Sequence, residues 1–152
     1  MGRKAKLPHD RSDAERLSRT AAGNLGRAKD LILDSAAEMV AYYDTELRVV
    51  WANRASAESV GLTSQELIGR HCYEIWQNRT TPCPGCPVLL SRDEKTPQRA
   101  EHRSPDGRFW SLRGYPVVDD SGAVVGLVEF GWDITDEKRG EAERAKLEEQ
   151  FH

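Results

Sequence analysis

The chain has 152 residues, of which 31% are charged, and a net charge of −3. That length suits one domain with a real core plus extensions, and the charge balance gives no footprint of a nucleic-acid partner. No apolar run approaches the roughly 18 residues of a membrane span, and Arg3, Lys4 and Lys6 lead into a polar stretch rather than an apolar one, so neither an anchor nor a signal peptide is read and a cytoplasmic protein is expected.

Residues 1–27 read as a basic leader, partly disordered and partly helical. Eight Lys/Arg face four Asp/Glu over residues 1–30. With no aromatics and no fold motif, this reads as a solvated leader rather than a nucleic-acid arm. Ser12-Asp13-Ala14-Glu15 has the capping-box pattern of a helix start, and Gly23 and Gly26 break that helix. Lys29 to Met39 places Leu31 and Ile32 on one side of an amphipathic helix. Val40–Asp44 and Arg48–Ala52 read as a hairpin around Thr45-Glu46-Leu47. Asn53 caps a helix ended by Gly61, Thr63 to Glu66 starts another ended by Gly69, and His71 to Trp76 is a further turn. Four Pro or Gly residues between 82 and 87 force a kinked loop, from which Pro87 to Asp93 emerges as a helix.

Three strands come next. Gln98–Arg103, Arg108–Val118 and Ala123–Trp132 are joined by Pro105-Asp106-Gly107 and Asp119-Asp120-Ser121-Gly122, whose residues suit tight turns. After Asp133-Ile134-Thr135, the charged run Asp136–Phe151 consists mostly of good helix formers. Its apolar positions, Ala142, Ala145, Leu147 and Phe151, are sparse for a coiled coil. The run stops without a clear cap, so a piece of a longer protein is expected. The order of elements gives an α+β domain with one antiparallel sheet.

Three cysteines carry the unusual chemistry, spaced C-x10-C-x2-C in His71-Cys72 and Pro82-Cys83-Pro84-Gly85-Cys86-Pro87. An odd number in a reducing compartment points away from structural bridges. Cys83 and Cys86 have the knuckle spacing of a zinc site, with His71 or His102 as the further ligand. An iron–sulfur cluster would lack one thiolate, and a reversible disulfide between Cys83 and Cys86 or Cys72 is a third reading. Inert thiols in a Pro-rich loop are the plain alternative. Cys86 opens a helix, where N–H groups favour thiolate.

Val49-Val50-Trp51-Ala52-Asn53-Arg54-Ala55, Glu66-Leu67-Ile68-Gly69-Arg70, Pro105-Asp106-Gly107-Arg108-Phe109-Trp110 and Asp133-Ile134-Thr135, in this order and spacing, resemble a PAS sensory domain of bacterial or archaeal signalling proteins. The resemblance covers residues 28–137 and leaves 138–152 as the start of a C-terminal signalling helix. It implies the PAS fold: a five-stranded antiparallel sheet of order 2-1-5-4-3, short helices on one face around a small cavity, and flanking helices at both ends. It also implies a sensory or dimerisation module rather than an enzyme, working as a homodimer upstream of an output such as a histidine kinase of a two-component system or a diguanylate cyclase. No nucleophile–base pair or general acid dyad argues otherwise. Gly69 to Gln77 is similar to the photoactive cysteine motif of flavin-binding LOV domains, but the amides that would hold flavin fall at His102, Ser111 and Gly131. The helix that carries the haem histidine in haem-binding relatives has none here. Both points argue against flavin and haem.

The same alignment sets an expected strand parity. Ser111, Arg113 and Tyr115 would face the cavity with Glu129 and His102, and Arg113 would oppose Glu129 as an ion pair or grip an anionic or zwitterionic ligand. Trp110, Leu112, Phe130 and Trp132 would form an apolar outer face, covered by the helix around Leu31 and Ile32 or by a second subunit. Asp133, Ile134 and Thr135 would relay a change in the sheet to the exit helix.

Overall fold

The structure, a computed structural model, describes residues 26–151. The leader before Gly26, with the helix expected from Ser12, lies outside the described residues, as does His152. The described residues divide into two units, 26–35 and 36–151. In the first, residues 26–34 are helical (α1), and Leu31 and Ile32 are exposed on it, at 73% and 67%. The helix stops short of Met39, which instead opens the first strand.

The second unit runs β1 (Met39–Tyr43), β2 (Val49–Ala52), α2 (Arg54–Glu58), α3 (Ser64–Leu67), α4 (Cys72–Gln77), α5 (Pro87–Glu94), β3 (Gln98–Arg103), β4 (Phe109–Val118), β5 (Val124–Asp133) and α6 (Thr135–Gln150). The five strands form one antiparallel sheet of order β2-β1-β5-β4-β3. This is the expected topology, with the expected elements shifted by one or two residues at their ends. Local chemistry explains most boundaries. The buried Asn53 side chain accepts from the Ser56 amide at 3.0 Å, capping α2, and from the Val40 amide at 3.0 Å, tying that cap to β1. Thr63 and Glu66 complete a capping box on α3. Pro87 occupies the first turn of α5, where its missing N–H costs nothing.

The core lies between the sheet and the helices, where Tyr43, Leu47, Val49, Leu67, Val88 and Leu127 are all but fully buried. Helix α5 crosses β4 at Gly114, where a Cβ would stand 2.7 Å from the Pro87 carbonyl oxygen. No other residue admits that approach. Leu47 turns the β1–β2 hairpin in the left-handed region, φ 64°, while its side chain is buried. Among the described residues, no helix is long and apolar enough to cross a membrane.

Candidate functional site

Directly paired residues of antiparallel strands share a face. Leu112 pairs with Gly131, Trp110 with His102 and Asp133, Ala41 with Glu129, and Gly114 with Glu129 and Gln98. Met39, Trp110, Leu112 and Glu129 therefore look inward, onto a cavity of about 480 Å³ whose opposite wall includes Cys72, Trp76 and Cys86. The exposed side chains of Asn78 and Asp106 also line it, so it opens to solvent there. His102 lies at that end of the inner face, as expected.

The expected parity of β4 is corrected by this register. Ser111 pairs with Trp132, Arg113 with Phe130 and Tyr115 with Val128, so all three lie on the outer face. Trp110 and Leu112, expected outside, are inside. A slip of one residue exchanges the faces of a whole strand, and only β4 slipped: Phe130 and Trp132 are outer, and Glu129 and His102 inner, as read from the sequence. Arg113 is exposed, with its guanidinium 5.2 Å from the Trp132 ring centre, and forms no pair with Glu129. The signal for the true phase was Gly114: the position that must admit a helix backbone belongs on the helix-covered face, so its neighbours 113 and 115 belong on the other.

Glu129 instead has Tyr43 for company. The Tyr43 hydroxyl donates to Glu129 Oε1 at 2.8 Å across the β1–β5 pair. Among the described residues no salt bridge reaches this carboxylate. Desolvation by the apolar walls pushes its pKa up to about 7, against the smaller opposing effect of the tyrosine hydrogen bond. The same burial, and then the neighbouring Glu129 charge, hold the Tyr43 hydroxyl well above its ordinary value. Tyr43 was not singled out in the sequence, because its inward direction follows only from the strand register.

The three cysteines converge on this cavity from separate elements. Cys72 is the first residue of α4, anchored by its amide to the Leu47 carbonyl at 3.1 Å. Cys83 and Cys86 flank a turn in which Gly85 takes φ 67° and the Cys86 amide reaches the Cys83 carbonyl at 3.3 Å. All three are free. Burial raises every one of these thiols above its ordinary value, Cys86 to about 11 and Cys72 further. The thiolate expected of Cys86 at its helix start is thus outweighed: backbone N–H groups of Val88 and Leu89 lower its pKa, but desolvation is larger. His71 is not brought to the cysteines. It lies in a separate groove, bridged to Arg48 and stacked on Tyr73 with ring centres 4.7 Å apart. Among the described residues, no three His, Cys, Asp or Glu side chains are placed to hold a metal ion.

Arg108 closes the far end of the cavity. It pairs with Asp106 at 2.7 Å, donates to the Ser59 carbonyl at 2.7 Å and lies 4.9 Å from the Trp110 ring centre. Trp76 is held there too, its indole N–H donating to the Ser59 hydroxyl at 2.9 Å. Beyond β5, Asp133, Ile134 and Thr135 knit the sheet to α6. The Ile134 amide donates to the Phe109 carbonyl at 2.8 Å, and the Phe109 amide to the Thr135 hydroxyl at 3.0 Å. Thr135 donates its own amide, at 3.0 Å, and its hydroxyl to the Asp133 carboxylate. One turn on, Lys138 forms a 2.8 Å ion pair with Glu101 of β3.

The family whose sequence pattern matches residues 33–139 is described as the PAS fold. No curated protein matches the chain. Among solved structures, an RNA-binding Light-Oxygen-Voltage receptor is similar at 20% identity and TM-score 0.66, over 86% of this chain and 38% of that one. The PAS domain of a Colwellia psychrerythraea protein is similar at 19% identity and TM-score 0.58, over 73% of this chain and 96% of that one. A sensory box sensor histidine kinase from Vibrio cholerae is similar at 14% identity and TM-score 0.55, over 83% and 99%. At these identities the likeness is one of fold.

Proposed function

The chain belongs to the PAS fold family, and from that premise we propose that it is a sensory module, not an enzyme, that binds a small molecule in its cavity and relays occupancy through α6 to an output domain, such as a histidine kinase or a diguanylate cyclase. The observation that carries the reading is the join of cavity to exit. Glu129 on the cavity wall and Asp133 at the helix junction sit on one strand, β5, which continues into α6 through Ile134. A ligand that shifts β5 has a short path to the helix, because a hydrogen-bonded strand moves as a unit.

A second reading, a ligand-free homodimerisation module, draws on the outer face. There Tyr115, Phe130 and Trp132 form a half-buried aromatic row, with ring centres 5.7 and 6.4 Å apart. The two readings separate in one set of measurements. Anaerobically purified protein is weighed by native mass spectrometry, its thiols, zinc and iron are counted, and small molecules are screened by thermal shift. Hydrogen exchange over residues 133–150 is then monitored with any compound that binds. A bound compound that changes exchange in α6 supports the sensor. Absence of any bound compound, together with a dimer lost on Phe130→Glu, replaces it with the dimerisation module.

A further inference from the structure

A carboxylate on a cavity wall with one hydrogen-bond donor and no cation is expensive to keep. Its natural complement is a positive charge brought from outside. We propose that the cavity selects a small organic monocation, an ammonium or protonated nitrogen heterocycle seated on Glu129, with an aromatic or aliphatic body lying along Met39 and Leu112 toward Trp110 and Trp76. The proposal deepens the sensory reading and rests on it.

Four observations carry this ligand class. First, the groups that face Glu129 supply no cation. Tyr43 of β1, Cys72 of α4, and Cys83 and Cys86 before α5 are its neighbours, and burial keeps their hydroxyl and thiols protonated. Secondly, the basic side chains of the lining, His102 and Arg108, stand at the other end. His102 shares its cross-strand position with Trp110 and Asp133, four residues along β5 from Glu129, or about 13 Å. Arg108 there is already committed to Asp106 and the Ser59 carbonyl. Thirdly, the floor between the two ends is apolar. Gly131 adds no side chain, and Leu112 and Met39 flank it. Fourthly, the volume of about 480 Å³ suits a body of that length. An anionic ligand would meet Glu129 with like charge. A neutral one could offer a hydrogen bond but no compensating charge.

The test is a set of amines with matched shapes: butylamine, phenethylamine and tyramine, each beside its alcohol and carboxylate counterpart, measured by calorimetry on the whole chain and on Glu129→Gln. Gln keeps the size of the side chain and an acceptor for Tyr43, and circular dichroism verifies its fold. At least one amine is expected to bind ten-fold or more tightly than both counterparts. Glu129→Gln should weaken that amine at least ten-fold while changing the alcohol less than two-fold. Wild-type affinity for the amine should rise between pH 6 and 8, as the carboxyl ionises, and the rise should vanish in the variant. Alcohols or carboxylates binding as well as amines, or amine affinity unchanged in Glu129→Gln, would overturn the monocation while leaving a cavity sensor standing. If no compound of any charge binds and Leu112→Trp, which fills the floor, is neutral for stability and for exchange in α6, the sensory reading falls with it.

Discussion

On the outer face of the sheet, Arg113 lies over the Trp132 ring in contact with water; on the inner face, Glu129 looks into a cavity with one tyrosine hydroxyl beside it. Both are charged residues on long central strands, yet their circumstances differ. The guanidinium keeps its hydration and gains a ring, which costs little. The carboxylate has lost most of its hydration and gained too little in return, and its pKa records the deficit. Two charges of opposite sign, one strand apart, are kept from neutralising each other by the sheet between them. A fold serving stability alone would pair them or remove the inner one. The proposed ligand site therefore draws on the inner face, where the uncompensated charge stands, and the dimerisation reading draws on the outer one.

Glycines give the largest contrast between the faces. At Gly114, inside, an added Cβ meets the Pro87 and Val88 backbone at 2.7 to 2.9 Å, and a backbone cannot swing aside. Gly114→Ala is expected to lose about 3 kcal/mol in urea unfolding, the upper range for overpacking. At Gly126, outside, the added atom meets the Tyr42 ring, a side chain that can turn toward solvent. Gly126→Ala should lose only about 1 kcal/mol. Equal losses would mean that α5 rides loosely on β4 and that the cavity has no fixed roof.

Glu129 gives the next. Its carboxyl is raised from 4.5 to about 7 in the folded state, which corresponds to about 3 kcal/mol at most. The sign comes from the raised value. The folded protein holds this proton more tightly than the unfolded chain, so the contribution is full below about pH 4.5, declines up to about pH 7, and is absent above it. Glu129→Gln lacks that slope. Relative to the variant, the wild type should lose about 3 kcal/mol between pH 4.5 and 8, read as the difference between two urea midpoints at each pH. A flat difference would mean that water hydrates the carboxylate as well inside as outside.

The junction is smaller. Thr135→Val keeps the shape but leaves the Phe109 amide without its acceptor and removes the hydroxyl donor to Asp133. A loss of about 1 kcal/mol is expected. Amide exchange should rise at residues 109 and 134 to 138 and remain unchanged in β1 and β2. A rise spread over the whole sheet would mean that the exit helix is not separately hinged.

How much of this was legible in the sequence depends on what each feature needs. Turns and caps need only their own residues, so Asn53, the Thr63–Glu66 box, Pro87 and the Pro105-Asp106-Gly107 turn marked their elements directly. Strand order came from the resemblance. Cys72, Cys83 and Cys86 were grouped on their spacing alone; the reason they share a cavity, α4 and the loop before α5 meeting over the same sheet, is not written in that spacing. His71 and Cys72 are adjacent in sequence and yet enter different cavities, since a helix start turns consecutive side chains apart. The β4 phase was recoverable. Gly114 is the small residue on a strand of large ones, and weighing it would have moved Arg113 outside and left Glu129 alone.

Arg113 provides the smallest and most discriminating test. If the outer face only packs and solvates, Arg113→Ala removes one exposed cation–π contact and no buried partner, a loss below about 1 kcal/mol. The loss should be independent of pH between 5 and 8. The slope that separates wild type from Glu129→Gln should survive in the Arg113→Ala background unchanged, the two effects adding within error as they do for sites without shared partners. A double variant that departs from additivity by more than about 0.5 kcal/mol would mean that the two charges feel each other through the sheet. The carboxylate would then not be lone, and its need for a ligand cation would weaken in proportion.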